Sequence, residues 1–229
     1  MVNDYYESSQ FALLLLSILD VPILGAIVAG LSTRGRNVVP AVLRMMKALL
    51  HRGSDAFGIS TGCELEISDD IAILESRNLD SPVALGYNLM KVLPADVPQP
   101  LRLSGGALAL EGEIYSEEST IRAREVAREK DENIDQDFFE NLVRSENGAY
   151  VIAALVNNEI SLTRDPLGLK PIYYGENAEL HAAASERKAL WNIGIVSPNY
   201  FPPGNVGKIR KSGFTLSAVR TIQTPVQTS

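Results

Sequence analysis

The nine residues Pro22-Ile23-Leu24-Gly25-Ala26-Ile27-Val28-Ala29-Gly30 constrain the fold more than any other stretch of this chain. They form an unbroken apolar run, opened by proline and closed by glycine. The run lacks alternation, so neither face is meant for water. A short run of this kind, with Ile and Val inside it, reads as a central strand covered on both sides. Gly25 and Ala26 lack bulk, so a second backbone or a ligand can approach closely there. A strand covered twice requires at least two packing layers. With 229 residues, 45% hydrophobic and 21% charged, the chain can build them.

The same numbers exclude several classes of function. A formal net charge of −7 argues against a nucleic-acid surface. A single cysteine, Cys63, precludes an internal disulfide framework, and with only two histidines there is no metal-ligand spacing. No metal and no cofactor is expected. The run Phe11 to Leu19 is interrupted by Asp20 and Pro22, so it is too short to span a bilayer. Asp4 and Glu7 precede it where a secretory signal would carry Lys or Arg. Residues 1–22 therefore read as an N-terminal helical extension, its apolar side docked on the body or on a second copy. The location expected is cytoplasmic.

Beyond the central strand, Asn37 can cap a helix to about His51, with Pro40 in its first turn. Residues 57–61, 64–67, 71–75, 83–90 and 102–111 read as strands, with Asp69-Asp70 as a hairpin turn. Gly53 and Gly58 read as tight turns, and Pro94 to Pro100 as a loop. A charged helix is expected from Ser116 to about Lys130 and a shorter one from Asp135 to Arg144. Ala149–Val156 and Glu159–Thr163 flank Asn157-Asn158 as a β-hairpin. Two more strands and a short helix from Ser185 complete the pattern. Long antiparallel runs without βαβ alternation imply two sheets with helices outside them.

Four motifs carry chemistry. They are Leu50-His51-Arg52-Gly53-Ser54-Asp55-Ala56-Phe57-Gly58; Leu110-Glu111-Gly112-Glu113-Ile114-Tyr115; the run Arg164 to Gly175 (RDPLGLKPIYYG); and Ala184-Ser185-Glu186-Arg187-Lys188-Ala189-Leu190, followed by Pro202-Pro203-Gly204. In this order and spacing they resemble the class II glutamine amidotransferase domain, and in particular the glutaminase half of asparagine synthetases. The resemblance covers residues 23 to about 216, so 23–229 is expected to be one domain. It implies an α+β, four-layer αββα N-terminal-nucleophile hydrolase sandwich of two antiparallel sheets.

In that family an N-terminal cysteine attacks the glutamine amide and its own α-amino group serves as base. An asparagine and a glycine N–H form the oxyanion hole, an arginine holds the substrate carboxylate and an aspartate its amine. Position by position, the nucleophile, the amine base, the oxyanion asparagine and the arginine are missing here. The opening Cys-Gly-Ile matches Leu24-Gly25-Ala26, and leucine offers no lone pair for attack. Position 24 is also internal, behind 23 residues. The oxyanion asparagine matches Glu111, whose negative charge opposes acyl transfer. The arginine matches Leu89, or Asn88 in a register shifted by one, and neither makes a bidentate carboxylate pair. The aspartate matches Asp135, with Asp131 and Asp137 as alternatives. Cys63 reads as an incidental thiol.

The resemblance therefore implies no catalytic residue, with Leu24, Glu111 and Leu89 as degenerate positions. It leaves a vestigial ligand pocket of Gly25, Arg52, Gly53, Gly112, Glu113 and Asp135. Arg164-Asp165 reads as a buried structural pair. Such a chain is expected to serve as a binding, regulatory or structural subunit, with a separate synthetase-type subunit or a second copy as partner. The alternative is an active glutaminase delivering ammonia to that partner. A small amino-acid or amine ligand fits the altered pocket, with Glu111 and Asp135 meeting an amine.

Overall fold

The computed structural model describes residues 24–94, 96–103, 105–115 and 136–222. The expected N-terminal extension, the expected helix from Ser116, and Asp131 and Asp135 lie outside them. The apolar run forms β1 (Leu24–Ser32), buried along nearly its whole length. Its side chains divide between two layers. Ile27, Ala29 and Leu31 join the core between the sheets, whereas Ala26 and Val28 face a helix layer. A helix, α1 (Val39–Ala48), supplies that layer with Val42, Met45 and Met46. Each such fully buried side chain contributes roughly 1.5–3 kcal/mol relative to exposure. The N-cap is Val38, whose side chain makes no capping bond, and Asn37 just before it accepts from Val39 N at 2.9 Å.

β1 sits in the middle of a seven-stranded sheet. On one side it pairs antiparallel with β4 (Val83–Met90), Leu24 opposite Met90 and Gly25 opposite Leu89. Beyond β4 lie β2 (Ala56–Ser60) and the edge strand β3 (Leu65–Ser68). On the other side β10 (Leu180–Ala184) pairs with β1 from Val28 to Ser32, followed by β9 (Tyr173–Glu176) and β11 (Asn199–Tyr200). The second sheet has six strands. Its order is β13 (Gly213–Ala218), β12 (Asn205–Arg210), β8 (Glu159–Arg164), β7 (Gly148–Val156), β6 (Gly106–Ile114) and β5 (Leu101–Leu103). The two sheets stack over a core that includes Tyr87, Leu89, Leu110, Val151 and Leu155. The expected hairpin closes on Asn157 and Asn158, with φ of 52° and 60°, the left-handed pair that matches strand twist.

Four expectations need correction. Residues 71–75 are not a strand but part of α2 (Ile71–Ser76), and Asp70 caps it by accepting from Ala72 N at 2.8 Å. Asp serves as well at an N-cap as in a turn, and the short apolar run fitted either element. Residues 102–111 are two strands, β5 and β6, rather than one. β11 to β13 were not foreseen, although β12 and β13 complete the second sheet. Gly53 and Gly58 are not turn residues. Gly58 lies within β2, where a Cβ would stand 2.0 Å from Gln99 O. At Gly53 the backbone is extended, and a Cβ would stand 2.5 Å from the Leu89 carbonyl carbon.

Arg164 and Asp165 are both fully buried, as expected, but they are not bonded to each other among the described residues. Arg164 donates to the carbonyls of Lys170, Gly168 and Phe201 and to Tyr200 Oη. Asp165 accepts from the backbone N–H groups of Leu169 and Lys170. Asp165 is satisfied within the loop between β8 and β9, and Arg164 ties that loop to Tyr200 and Phe201 at β11. Two helices remain. α3 (Gln136–Ser145) buries Phe139 and Val143, and α4 (Arg187–Trp191) buries Ala189 and Leu190.

Candidate functional site

Where β10 stops pairing with β1, the first residues of β1 meet a single 3-10 turn, Leu50–Arg52. Gly25 lies so close to β4 that a Cβ would stand 2.1 Å from Asn88 O and 2.6 Å from Tyr87 Oη. The missing side chain permits this close packing. The Gly25 carbonyl accepts from Arg52 Nε at 3.1 Å.

Arg52 then reaches across the sandwich. One terminal nitrogen donates to Glu111 Oε1 on β6 and the other to Glu186 Oε1, the latter at 3.2 Å. Ser185 Oγ donates to the second Glu111 oxygen at 2.8 Å while accepting from Ile27 N at 2.9 Å. Both oxygens of Glu111 are thus engaged, and its side chain is fully buried. The network surfaces through Glu186. His51 Nε2 lies 2.9 Å from Glu186 Oε1, and Lys188 Nζ lies 2.9 Å from His51 Nδ1.

The electrostatics follow from depth. Burial raises the Glu111 pKa above the ordinary carboxylate range, and the Arg52 charge only partly opposes it. Burial would lower the Arg52 pKa, but Glu111 and Glu186 outweigh that and hold the guanidinium above its usual value. Burial also works against ionised Glu186, which lies nearer the surface. There the hydrogen bonds from His51 and Arg52 prevail and hold it below the ordinary range. Tyr87 Oη is buried beside this cluster without a hydrogen-bond partner among the described residues. Burial, reinforced by the Glu111 charge, holds it as the neutral phenol.

The structure thus gathers Gly25, Arg52 and Glu111 and adds Ser185, Glu186, His51 and Tyr87. Gly112 and Glu113 follow Glu111 on β6. Gly112 has φ +112°, and a Cβ there would meet Ala149 O at 1.8 Å, so it fits its strand rather than a ligand. Glu113 is half-buried. Leu24 is half-buried at the head of β1. Leu89 joins the inter-sheet core, and Asn88 donates to Met46 O at 2.9 Å. Neither register of β4 therefore offers an arginine-like group. Glu111, expected to meet an amine, is already bonded by Arg52 and Ser185. Cys63 is exposed in the β2–β3 turn. That is the opposite end of β2 from Ala56, which pairs with Leu89.

A glutamine amidotransferase domain family matches residues 88–192. A curated relative named as a glutamine-hydrolysing asparagine synthetase, from Methanocaldococcus jannaschii, is 29% identical over 163 residues. Over these residues the chain is similar to glutamine amidotransferase domains. That match covers 65% of this chain and 30% of the relative, so the chain spans under a third of the longer protein. Among solved structures, glutamine phosphoribosylpyrophosphate amidotransferase from B. subtilis superposes with TM-score 0.68 at 18% identity. An allosteric regulatory enzyme of purine biosynthesis gives 0.69 at 19%. Each superposition covers 85% of this chain and 49% of the other. At these identities the likeness is one of fold, and the chain has the expected α+β sandwich of two antiparallel sheets.

Ser185 and Glu186 stood in a recognised motif but carried no role in the sequence reading. The signal was there, a Ser-Glu pair directly after a buried Ala run, and only the fold reveals that it faces Glu111 and Arg52. Among the described residues no group of His, Cys, Asp and Glu side chains is arranged to hold a metal ion.

Proposed function

We propose that this glutamine amidotransferase domain does not hydrolyse glutamine and acts as a binding, regulatory or structural subunit, with a synthetase-type partner. The observation that carries the reading is the closure of Glu111 by Arg52 and Ser185. The position matched to the oxyanion donor holds a buried acceptor, and its neighbours stabilise it as an acceptor. Acyl transfer needs donors aimed at a developing oxyanion, and a carboxylate there acts in the opposite sense. Leu24 supports the same conclusion from the attacking side, since its side chain cannot act as a nucleophile.

The test is glutamine hydrolysis by the purified full-length chain, with a Cys63→Ala variant in parallel. Neither preparation is expected to release ammonia. Ammonia at an enzyme-like rate from the wild type, abolished by Cys63→Ala, would overturn the reading and make that thiol the nucleophile.

A further inference from the structure

The two sheets have four edge strands, and three of them are guarded against further pairing. β3 is four residues long and carries Glu66, β5 is three residues with Arg102 among them, and β11 is only two. Short length and a charge on the strand are the ordinary protections of a sheet edge. β13 has neither. Gly213-Phe214-Thr215-Leu216-Ser217-Ala218 is six residues without charge or proline, paired with β12 in unbroken register.

The alternation of that ladder is set by the two-residue turn Lys211-Ser212 and by the bond from Val219 N to Gly204 O at 3.0 Å. Gly213, Thr215, Ser217 and Val219 turn their main-chain polar groups toward β12. Phe214, Leu216 and Ala218 therefore turn theirs to the free edge, where no hydrogen bond from the described residues reaches them. Their side chains share the inner face of the sheet. The Phe214 ring centroid lies 4.8 Å from that of Tyr174 and 5.2 Å from that of His181, both on the facing sheet. Leu216, two residues on, is 39% exposed. Unpaired main chain and uncovered apolar surface thus coincide on one strand.

Charge selects what can pair there. Residues 205–222 carry Lys208, Arg210, Lys211 and Arg220 and no Asp or Glu, in a chain of net charge −7. Glu159 on β8 is held by Arg210 at 2.7 Å, and Glu176 on β9 lies 3.0 Å from His181. A second copy fits poorly. Antiparallel pairing about Leu216 sets Ser212 of one copy opposite Arg220 of the other with Lys211 beside it, and facing like charges destabilise a ladder.

We propose that the free edge of β13 takes up an extended acidic segment of a partner protein as an added strand. The segment's main chain pairs with Phe214, Leu216 and Ala218, and its alternate apolar side chains cover Leu216 and continue the inner face. Acidic residues at its ends complement the cationic surroundings of the strand. The inference goes beyond the non-hydrolytic reading and stands whether or not glutamine is hydrolysed.

The experiment is fluorescence anisotropy of the full-length chain with three fluorescein-labelled peptides. The first is Glu-Val-Thr-Val-Thr-Val-Glu. The second replaces both Glu by Lys, and the third carries N-methyl groups on its valines, which then cannot donate to the edge. Saturable binding of the acidic peptide is expected, with the other two weaker by about tenfold or more. Leu216→Pro removes an N–H that faces the free edge, where edge strands accept proline. It is expected to weaken the acidic peptide by a similar factor with a thermal midpoint little changed. Leu216→Glu keeps that N–H and is expected to weaken binding by repulsion, which tests the edge even if the proline variant misfolds.

Absence of saturation by the acidic peptide up to roughly 1 mM would overturn the proposal. So would equal binding of either control peptide, or binding that both variants leave intact. Sedimentation velocity on the same preparation reports self-association. A concentration-dependent dimer abolished by Leu216→Glu would make the occupant a second copy and overturn the assignment to an acidic partner.

Discussion

Two arginines are drawn into the interior of this protein, and they are neutralised by opposite means. Arg164 is completely buried, yet among the described residues no carboxylate touches it. Its fork is filled by three main-chain carbonyls and the Tyr200 hydroxyl, and the Tyr200 ring lies 4.1 Å from its guanidinium carbon. Arg52 keeps part of its surface and is met by two carboxylates, Glu111 and Glu186, that lie far apart in the chain. The first arginine joins the loop after β8 to the β11 segment through dipoles. The second joins the 3-10 turn after α1, the six-stranded sheet and the start of α4 through charge. Dipoles do not titrate in the ordinary pH range and carboxylates do, so the two anchors are expected to respond differently to acid.

The largest effect is expected at Arg164. Arg164→Ala orphans three carbonyls and is expected to lower stability by about 4–5 kcal/mol, measured by urea unfolding. The loss is expected to be the same at pH 5 and pH 8. Arg164→Lys should rescue little, since an ammonium cannot reproduce the planar fork. Full rescue by lysine would break the comparison.

Arg52→Ala is expected to cost roughly 3 kcal/mol at pH 8, because it leaves Glu111 buried with only Ser185. Here pH matters. The folded-state pKa of Glu111 is already raised, so its contribution is present below the ordinary carboxylate range and is lost as pH rises through the folded value. Removing Arg52 raises that value further, so the variant's deficit should shrink toward pH 5. Glu186 has the opposite sign. Its contribution is present above the ordinary range and is lost as pH falls through its lowered folded value. A deficit independent of pH would show that Glu111 is not the group Arg52 serves.

Ser185→Ala removes one bond to Glu111 and one from Ile27 N, with an expected loss of about 1–2 kcal/mol in thermal or urea unfolding. His51→Ala, at the exposed end of the same network, is expected to change stability by less than about 0.5 kcal/mol. A larger loss at His51 than at Ser185 would place the weight of the network at the surface rather than at the buried carboxylate.

The sequence was most legible where one signal dominated. The β1 run lacked a polar face, β4 matched its expected bounds, and Asn157-Asn158 specified its hairpin because few residues accept two successive positive φ values. Legibility failed where local chemistry was degenerate. Asp70 suited a turn and a helix cap equally, and the choice depends on Leu74 packing into the helix layer, which no local pattern encodes. β12 and β13 lack a strong period, and pairing with β8 decides them. The site followed the same division. The unusual residues at positions 24, 89 and 111 were visible as identities. That Glu111 is already held by Arg52 and Ser185 depends on contacts spanning 59 and 74 residues, beyond any local motif.

The central position of β1 has a consequence in time. Its first described residues pair with the end of β4, but its other neighbour is β10, and Ile27 meets Ser185 across 158 residues. At roughly 5–20 residues per second of synthesis, about 8–30 s separate the emergence of these two partners from the ribosome. During that interval an apolar central strand has a free edge. The nascent chain is thus most prone to aggregate early, and slowing translation downstream of β4 should lower its soluble yield more than slowing it upstream of β1.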